Sequence, residues 1–499
     1  MRQNKCIRNH ISKYYPYYII SLLFLWIWYL CFPFLPGPDP YGSSTNQWGI
    51  GAYILMHSIY KPLEYIMQSR VGEILSDLCY SSMDYDLIKN GTRTFVYHLG
   101  ACIATLIHTL LLYYCLLMMV NPTKTKCKYN FSILVCIILF VLTAGFLLYV
   151  KNTDLLFCST TLLLITIVTR KYVMGDKVGN WTFFLLLIIS MISVSYRKNS
   201  IVILPILIWA FLKTYKHGQN IKTLHRSFFT IAISLIIAVP FSTSLLIPIL
   251  QIEDSHGEEV FMSSDYACMR LLKGKNIELN DLAGIKQDSM FLFMQNYERF
   301  GTCNDMREKW IKEIKDSPKV FFIVRSINYL QFMTLGCIPD YIKTILETHY
   351  PHVYFPNEKD FCTMVDFINN PKQRFEGDKH IHHLCEFGNY SFLFKRSLFN
   401  YDLYFNWLYL SRIIVLLYFF SFLCFIYNLI IRFKYSRIEK TKQLAIWFGL
   451  LEFSYLLSFA IFTPTPDYRY HLFSLLMAYL SIGVTFSKEL EPPNYSSNY

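Results

Sequence analysis

This sequence is poor in charge. Of its 499 residues only 16% are Asp, Glu, Lys or Arg, against 54% hydrophobic and 17% aromatic. So small a charged share, with apolar runs long enough to cross a bilayer, excludes an ordinary soluble globular protein and predicts a polytopic membrane protein. Acid is scarcest at the start, where the first carboxylate is Asp39. The apolar runs are almost free of charge, Glu452 being the main exception, and no internal repeat is present. Both absences weigh against a transporter or lipid flippase, which would carry mid-span charges and repeated halves. There is no Gly-rich phosphate loop, serine-hydrolase elbow or His-Glu-x-x-His zinc motif. No small-residue cleavage site follows the first apolar run, so that run is expected to stay as a span. The net charge of +12 is not a nucleic-acid signature. The basic residues sit in short clusters between apolar runs, where they set topology.

Read in order, the clusters alternate with apolar runs. Arg2, Lys5, Arg8 and Lys13 precede span one, 17–35, and predict a cytoplasmic N-terminus. The turn Pro36-Gly37-Pro38-Asp39-Pro40 follows. Proline lacks an N–H and fixes φ, so it ends the helix and stiffens the exit. Residues 36–95 form a first outer loop, with interfacial helices expected at 48–67 and 71–87. Span two, 97–120, span three, 131–150, span four, 155–169, span five, 181–196, span six, 201–212, and span seven, 228–250, follow. Spans four to six are short against the ~20 residues of a full crossing. One way to accommodate them sets the Arg197-Lys198-Asn199 turn inside a cavity, near a substrate path.

Residues 251–404 are polar and too long for a turn, which predicts a folded outer domain or docked helices. Spans eight, nine and ten at 405–431, 444–462 and 471–485 leave the C-terminus cytoplasmic. The expected architecture is therefore all-α with about 10 transmembrane helices. A seven-span module, 1–250, is followed by the extracytoplasmic segment 251–404 and a three-span segment, 405–499.

Several residues on the predicted outer face could carry chemistry. Asp39 and Asp154 are carboxylates at the ends of separate spans, able to activate a hydroxyl or orient an acceptor. Asp154 is equally suited to N-cap span four. Arg197 and Arg469 are natural phosphate ligands, because a guanidinium offers paired donors and keeps its charge when partly buried. The alternative for both is snorkelling at a span end. His380, His382, His383 and Cys385 look like metal ligands, but no second cluster completes a tetrahedral set. Cys79, Cys268, Cys303, Cys337, Cys362 and Cys385 fall on outer segments, where one or two disulfides are expected.

Taken together, these residues give the chain a resemblance to the polytopic glycosyltransferases that use lipid-linked sugars, the GT-C class. Asp39 occupies the place of that family's acid after the first span. Lys151-Asn152-Thr153-Asp154-Leu155-Leu156-Phe157 resembles its second-loop Lys-x-x-Asp-x-x-Phe, and Arg197-Lys198-Asn199 its Arg-x-Asn turn. Asp467-Tyr468-Arg469-Tyr470 is similar to the Arg-Tyr that closes a late outer loop. The resemblance implies an inverting transferase of a bacterial inner or plasma membrane. It would move a sugar from a polyprenyl-phosphate carrier to a glycan, lipid or protein acceptor at the outer face. Asp39 would be the general base, with Asp154 as second acid. Arg469, Arg197, Tyr468, Tyr470 and Lys151 would hold the donor phosphate. Many members carry paired acids in the first loop, whereas here Asp39 stands alone until Glu64. A single carboxylate is a poor site for a divalent cation such as Mg or Mn, so Asp154, Glu253 or Asp254 would have to complete one. A polysaccharide polymerase or ligase of the O-antigen type is the competing class, relying on outer arginines without an acid after span one.

Overall fold

Inside a bilayer the backbone must satisfy its own hydrogen bonds, so apolar runs of this length fold as helices. The computed structural model describes residues 14–26, 85–120, 130–145, 153–174, 180–197, 306–334, 340–349, 407–435, 439–462 and 468–487. It also describes scattered positions within 55–65, 202–210 and 262–273. Among the described residues there is helix and no strand. Residues 14–26 are helical, and ten further helices follow among the described residues. These are α1 (Tyr85–Val120), α2 (Phe131–Ala144), α3 (Thr153–Met174), α4 (Asn180–Tyr196), α5 (Met306–Asp316), α6 (Pro318–Met333), α7 (Asp340–His349), α8 (Trp407–Lys434), α9 (Lys440–Phe462) and α10 (Leu472–Thr485). A 3-10 turn, Tyr468–His471, leads into α10.

Four stretches among the described residues are long and apolar enough to cross a membrane: Ile103–Val120, Asp154–Met174, Arg412–Lys434 and Lys440–Ala460. By length and composition these helices are consistent with a membrane protein. Two shorter apolar helices, α2 and α10, pack with them. Two boundaries differ from expectation. Helix α1 begins at Tyr85, twelve residues before span two was expected, and runs through Asn90-Gly91, a dipeptide that reads as a turn in sequence. Helix α3 reaches Met174, so span four is long enough for a full crossing rather than short. Arg170 and Lys171 lie in its last turns, where long basic side chains reach the interface without ending the helix.

The two ends of the bundle are chemically distinct. At one end Lys440 Nζ donates to Val173 O at 2.8 Å and Lys442 Nζ to Thr485 O at 3.0 Å. The start of α9 thus caps the C-termini of α3 and α10, where carbonyls lack helical partners and the dipole favours a cation. Ser132 Oγ donates to Phe486 O at 3.0 Å, and Asn130 N–H to Val120 O at 3.2 Å. Asn130 also caps α2 by accepting from Ile133 N–H. Helices α1, α3, α8 and α10 therefore end at this lysine-bearing side, while α2 and α9 begin there.

Between the ends several polar side chains of the bundle bond one another, whereas Trp447 Nε1 and Ser474 Oγ are buried without a hydrogen-bond partner among the described residues. Ser421 Oγ donates to Glu452 Oε2 at 2.5 Å, both residues fully buried. Asn428 Nδ2 donates to Thr485 Oγ1 at 2.9 Å. His108 Nδ1 and Ser159 Oγ are 2.7 Å apart, and Thr161 bonds Ser193. Helices α8 and α9 come closest at Gly449, where a Cβ would lie 2.7 Å from Phe425 Cδ2. Cys115, Cys136, Cys158 and Cys424 are buried thiols that pack as small apolar groups. Cys268 is likewise buried. Cys79, Cys303, Cys337, Cys362 and Cys385 lie outside the described residues, as do His380, His382 and His383.

Within 251–404 three helices are described, and α6 docks against α8 and α9. Helix α6 opens with Pro318 at its first turn, where the missing N–H costs nothing. Asp265 ties residues near 262–273 to this layer. It pairs with Arg325 of α6 and accepts from Trp310 Nε1 of α5 at 3.2 Å. Lys273 pairs with Glu313 in the same way. Burial pushes the Asp265 carboxyl up to about 6, against the opposing pull of Arg325 and Trp310.

Candidate functional site at the Asp154 end of the bundle

Three chain segments meet at the end opposite the lysines. Asp154 sits in the first turn of α3, Arg197 directly follows α4, and Tyr470 lies in the turn before α10. Helices α3 and α4 are antiparallel neighbours, which brings positions 43 apart in sequence side by side. Arg197 Nε donates to Asp154 Oδ1 at 2.7 Å, and its Nη2 donates to the same oxygen. Both residues are buried. The Tyr470 ring lies under the guanidinium, 4.8 Å from its carbon to the ring centroid. A cation over a ring in a desolvated setting is held more firmly than the same pair in water.

An aromatic cluster supports this triad from below and beside. Tyr470 stacks on Phe459 with centroids 5.4 Å apart, and Phe459 stacks on Phe332 of α6 at 4.7 Å. Phe332 stacks on His471 at 4.2 Å, nearly parallel. Tyr455 contacts Phe157 at 5.2 Å and Phe473 at 5.0 Å. These side chains come from α3, α6, α9, the turn and α10, which thus share one packed layer beside the site. His471 is fully buried and uses both ring nitrogens. Nε2 is 3.1 Å from Phe332 O, which can only accept, so Nε2 carries a proton. In the neutral ring Nδ1, 2.9 Å from Tyr418 Oη, then accepts from that hydroxyl.

The arrangement decides what Asp154 can do. Its charge is already matched by Arg197 inside protein, and removing a single partner would strand a buried charge. Both guanidinium bonds go to Oδ1, so that oxygen is already committed to Arg197 rather than to a cation. Among the described residues no group of three or more His, Cys, Asp or Glu converges on one point. Asp154 lies inside the first turn of α3, and its Oδ1 is engaged by a side chain from another helix.

Of the residues singled out by sequence, Asp154, Arg197 and Tyr470 are thus brought together. The backbone of Tyr468 and Arg469 forms the 3-10 turn beside them. Asp39 and Lys151 lie outside the described residues, as do Glu253 and Asp254. Sequence reasoning missed Phe332, Tyr455, Phe459 and His471. Aromatics in an apolar run read as ordinary core, and the only signal was their number around one turn. Compared with protein-family models, curated proteins and solved structures, the chain matches none.

Proposed function

We propose that the protein is a membrane glycosyltransferase of GT-C-like architecture with about ten spans. It transfers a sugar from a polyprenyl-phosphate carrier to an envelope glycan, lipid or protein acceptor at the outer face. The observation that supports this reading is the convergence of three separate segments, each resembling a motif of that class. Asp154 of the Lys-x-x-Asp-x-x-Phe segment, Arg197 of the Arg-x-Asn turn and Tyr470 of the Asp-Tyr-Arg-Tyr turn meet at one end of the bundle. The lysine-bearing end would face the cytoplasm, as basic clusters dictate, which sets these residues outside.

On this reading the roles are divided. Arg197, neutralised by Asp154, is a strut that holds Tyr470 in place and through it the turn carrying Arg469. Arg469, with Tyr468 and Lys151, takes the leaving phosphate and offsets the charge that grows on it in the transition state. Asp39 removes the proton of the acceptor hydroxyl, which is a weak nucleophile without a base. The C1–O bond to phosphate breaks as the acceptor oxygen bonds C1, and the proton passes to Asp39.

Membranes supplied with a lipid-linked sugar donor provide the test. Asp39→Asn is expected to lower transfer by roughly 10²–10⁴-fold, the usual worth of a positioned base. Arg469→Ala is expected to weaken donor use. Full transfer by Asp39→Asn rejects the reading, and loss with Arg469→Ala alone favours a polymerase or ligase that works without that acid.

A further inference from the structure

The end of the bundle that carries Asp154 is recessed. Helix α8 is apolar from Arg412 to Lys434, a stretch of 23 residues bounded by charge at both ends. At ~1.5 Å per residue that stretch is about as long as the ~30 Å hydrocarbon layer, so Arg412 marks its edge on the Asp154 side. Tyr418, bonded to His471, is six residues further in, roughly 9 Å below that edge. Phe332, stacked on His471 at 4.2 Å, is joined through that ring to the Tyr418 side chain, which places it near this depth. The C-terminal end of α6 therefore reaches into the hydrocarbon layer. Helix α10, with 14 residues, spans only ~21 Å and starts at this recessed level.

That depth limits where the rest of α6 can be. Phe322 precedes Phe332 by ten residues, at most ~15 Å along a helix axis. An upright α6 would put Phe322 roughly 15 Å above the Phe332 level, and any tilt brings it nearer to the hydrocarbon layer. Along this stretch α6 presents a groove of ≈ 310 Å³ lined by Phe322, Ile323, Ser326, Ile327 and Leu330, closed on the far side by Ile342 of α7. Phe322 is 68% exposed, and neighbouring Tyr341 and Ile345 of α7 are 69% and 55% exposed. In water such a groove would be an unfavourable apolar patch. At this depth it faces lipid.

We infer that the α6–α7 groove seats a hydrocarbon chain of a bilayer phospholipid in the leaflet on the Asp154 side. Helices α6 and α7 thereby lie partly within the membrane rather than above it. The charges fit this placement. Lys312, Lys315 and Lys319, on α5 and at the end of α6 away from Phe332, are exposed where phosphate headgroups would run, with exposed Glu308 and Asp316 among them. The inference rests on depth and apolar lining and stands apart from the transferase reading.

Full-length wild-type protein in vesicles of phosphatidylethanolamine and phosphatidylglycerol tests it without any substitution. A membrane-confined diazirine is photolysed and the labelled peptides are mapped. Labelling over residues 322–330 should match that of lipid-facing Leu416 and Phe420 in α8 and exceed that of α5 several-fold. Labelling no stronger than that of α5 overturns the inference. A second arm uses Ser326→Cys carrying a small fluorophore. Quenching by nitroxide on the lipid chains should exceed quenching by aqueous iodide, and the reverse order overturns it. If a small mole fraction of polyprenyl phosphate removes the labelling, the carrier occupies the groove and the assignment to bulk phospholipid fails.

Discussion

The ring of Tyr470 lies beneath the guanidinium of Arg197, 4.8 Å from carbon to centroid, while that guanidinium is paired with Asp154. One cation thus links the starts of α3 and α10 to the end of α4. The pair is buried, and its worth lies in the cost of breaking it rather than in net stabilisation.

Asp154→Leu or Arg197→Met alone is expected to destabilise by about 3–5 kcal/mol, since each strands the other charge. The double substitution should recover most of that loss. Denaturant or thermal unfolding of the purified protein in detergent measures the cycle. A double variant as unstable as the sum of the singles would reject the strut role.

His471→Leu is expected to leave the Tyr418 hydroxyl and the Phe332 carbonyl without their partner, at about 1–3 kcal/mol for each buried group. Tyr418→Phe removes one bond only and should cost less. The turn bearing Arg469 should loosen in His471→Leu, seen as faster proteolysis between α9 and α10. Equal stability of the two variants would show that the ring bonds carry nothing beyond stacking.

Gly449→Ala places a methyl 2.7 Å from Phe425 Cδ2 and 3.2 Å from its Cβ and Cγ. Helix α8 must shift off α9, at an expected 1–3 kcal/mol. The neighbouring Ser421–Glu452 bond should weaken with it. Unchanged unfolding of Gly449→Ala would mean that the two helices are less tightly apposed than this geometry requires.

Asp265 brings a pH dependence outside the spans. Its carboxyl is raised to about 6 by burial, whereas in the unfolded chain it titrates near 4. Between those values the folded state binds more protons, so stability falls as pH rises from about 4 to about 6 and is level above that. Asp265→Asn should remove this slope while keeping an oxygen to accept from Trp310 and Arg325. Melting temperatures across pH 4–7.5 measure both proteins, and parallel curves would sink the assignment.

The helical membrane class was legible in composition and in the apolar runs. The direction of successive helices followed from basic clusters, as the lysine-capped end of α3 and α10 illustrates. Positions of helix ends were less legible. Arg170 and Lys171 look like a stop in sequence, yet α3 passes through them because their stems lie along the helix while their heads leave it.

The sequence by itself pointed to Asp154, Arg197 and Tyr470 at one end of the bundle, because basic clusters set the expected direction of the helices that carry them. Only the tertiary structure decided that Arg197 and Asp154 neutralise each other. Pairing across 43 positions depends on which helices are neighbours, and no local periodicity encodes that. The recess was likewise invisible in sequence. It depends on His471 meeting Tyr418 partway down α8, with Phe332 of a polar-segment helix stacked against it. Side-chain packing between elements far apart in sequence sets that depth, and with it the placement of α6 against lipid.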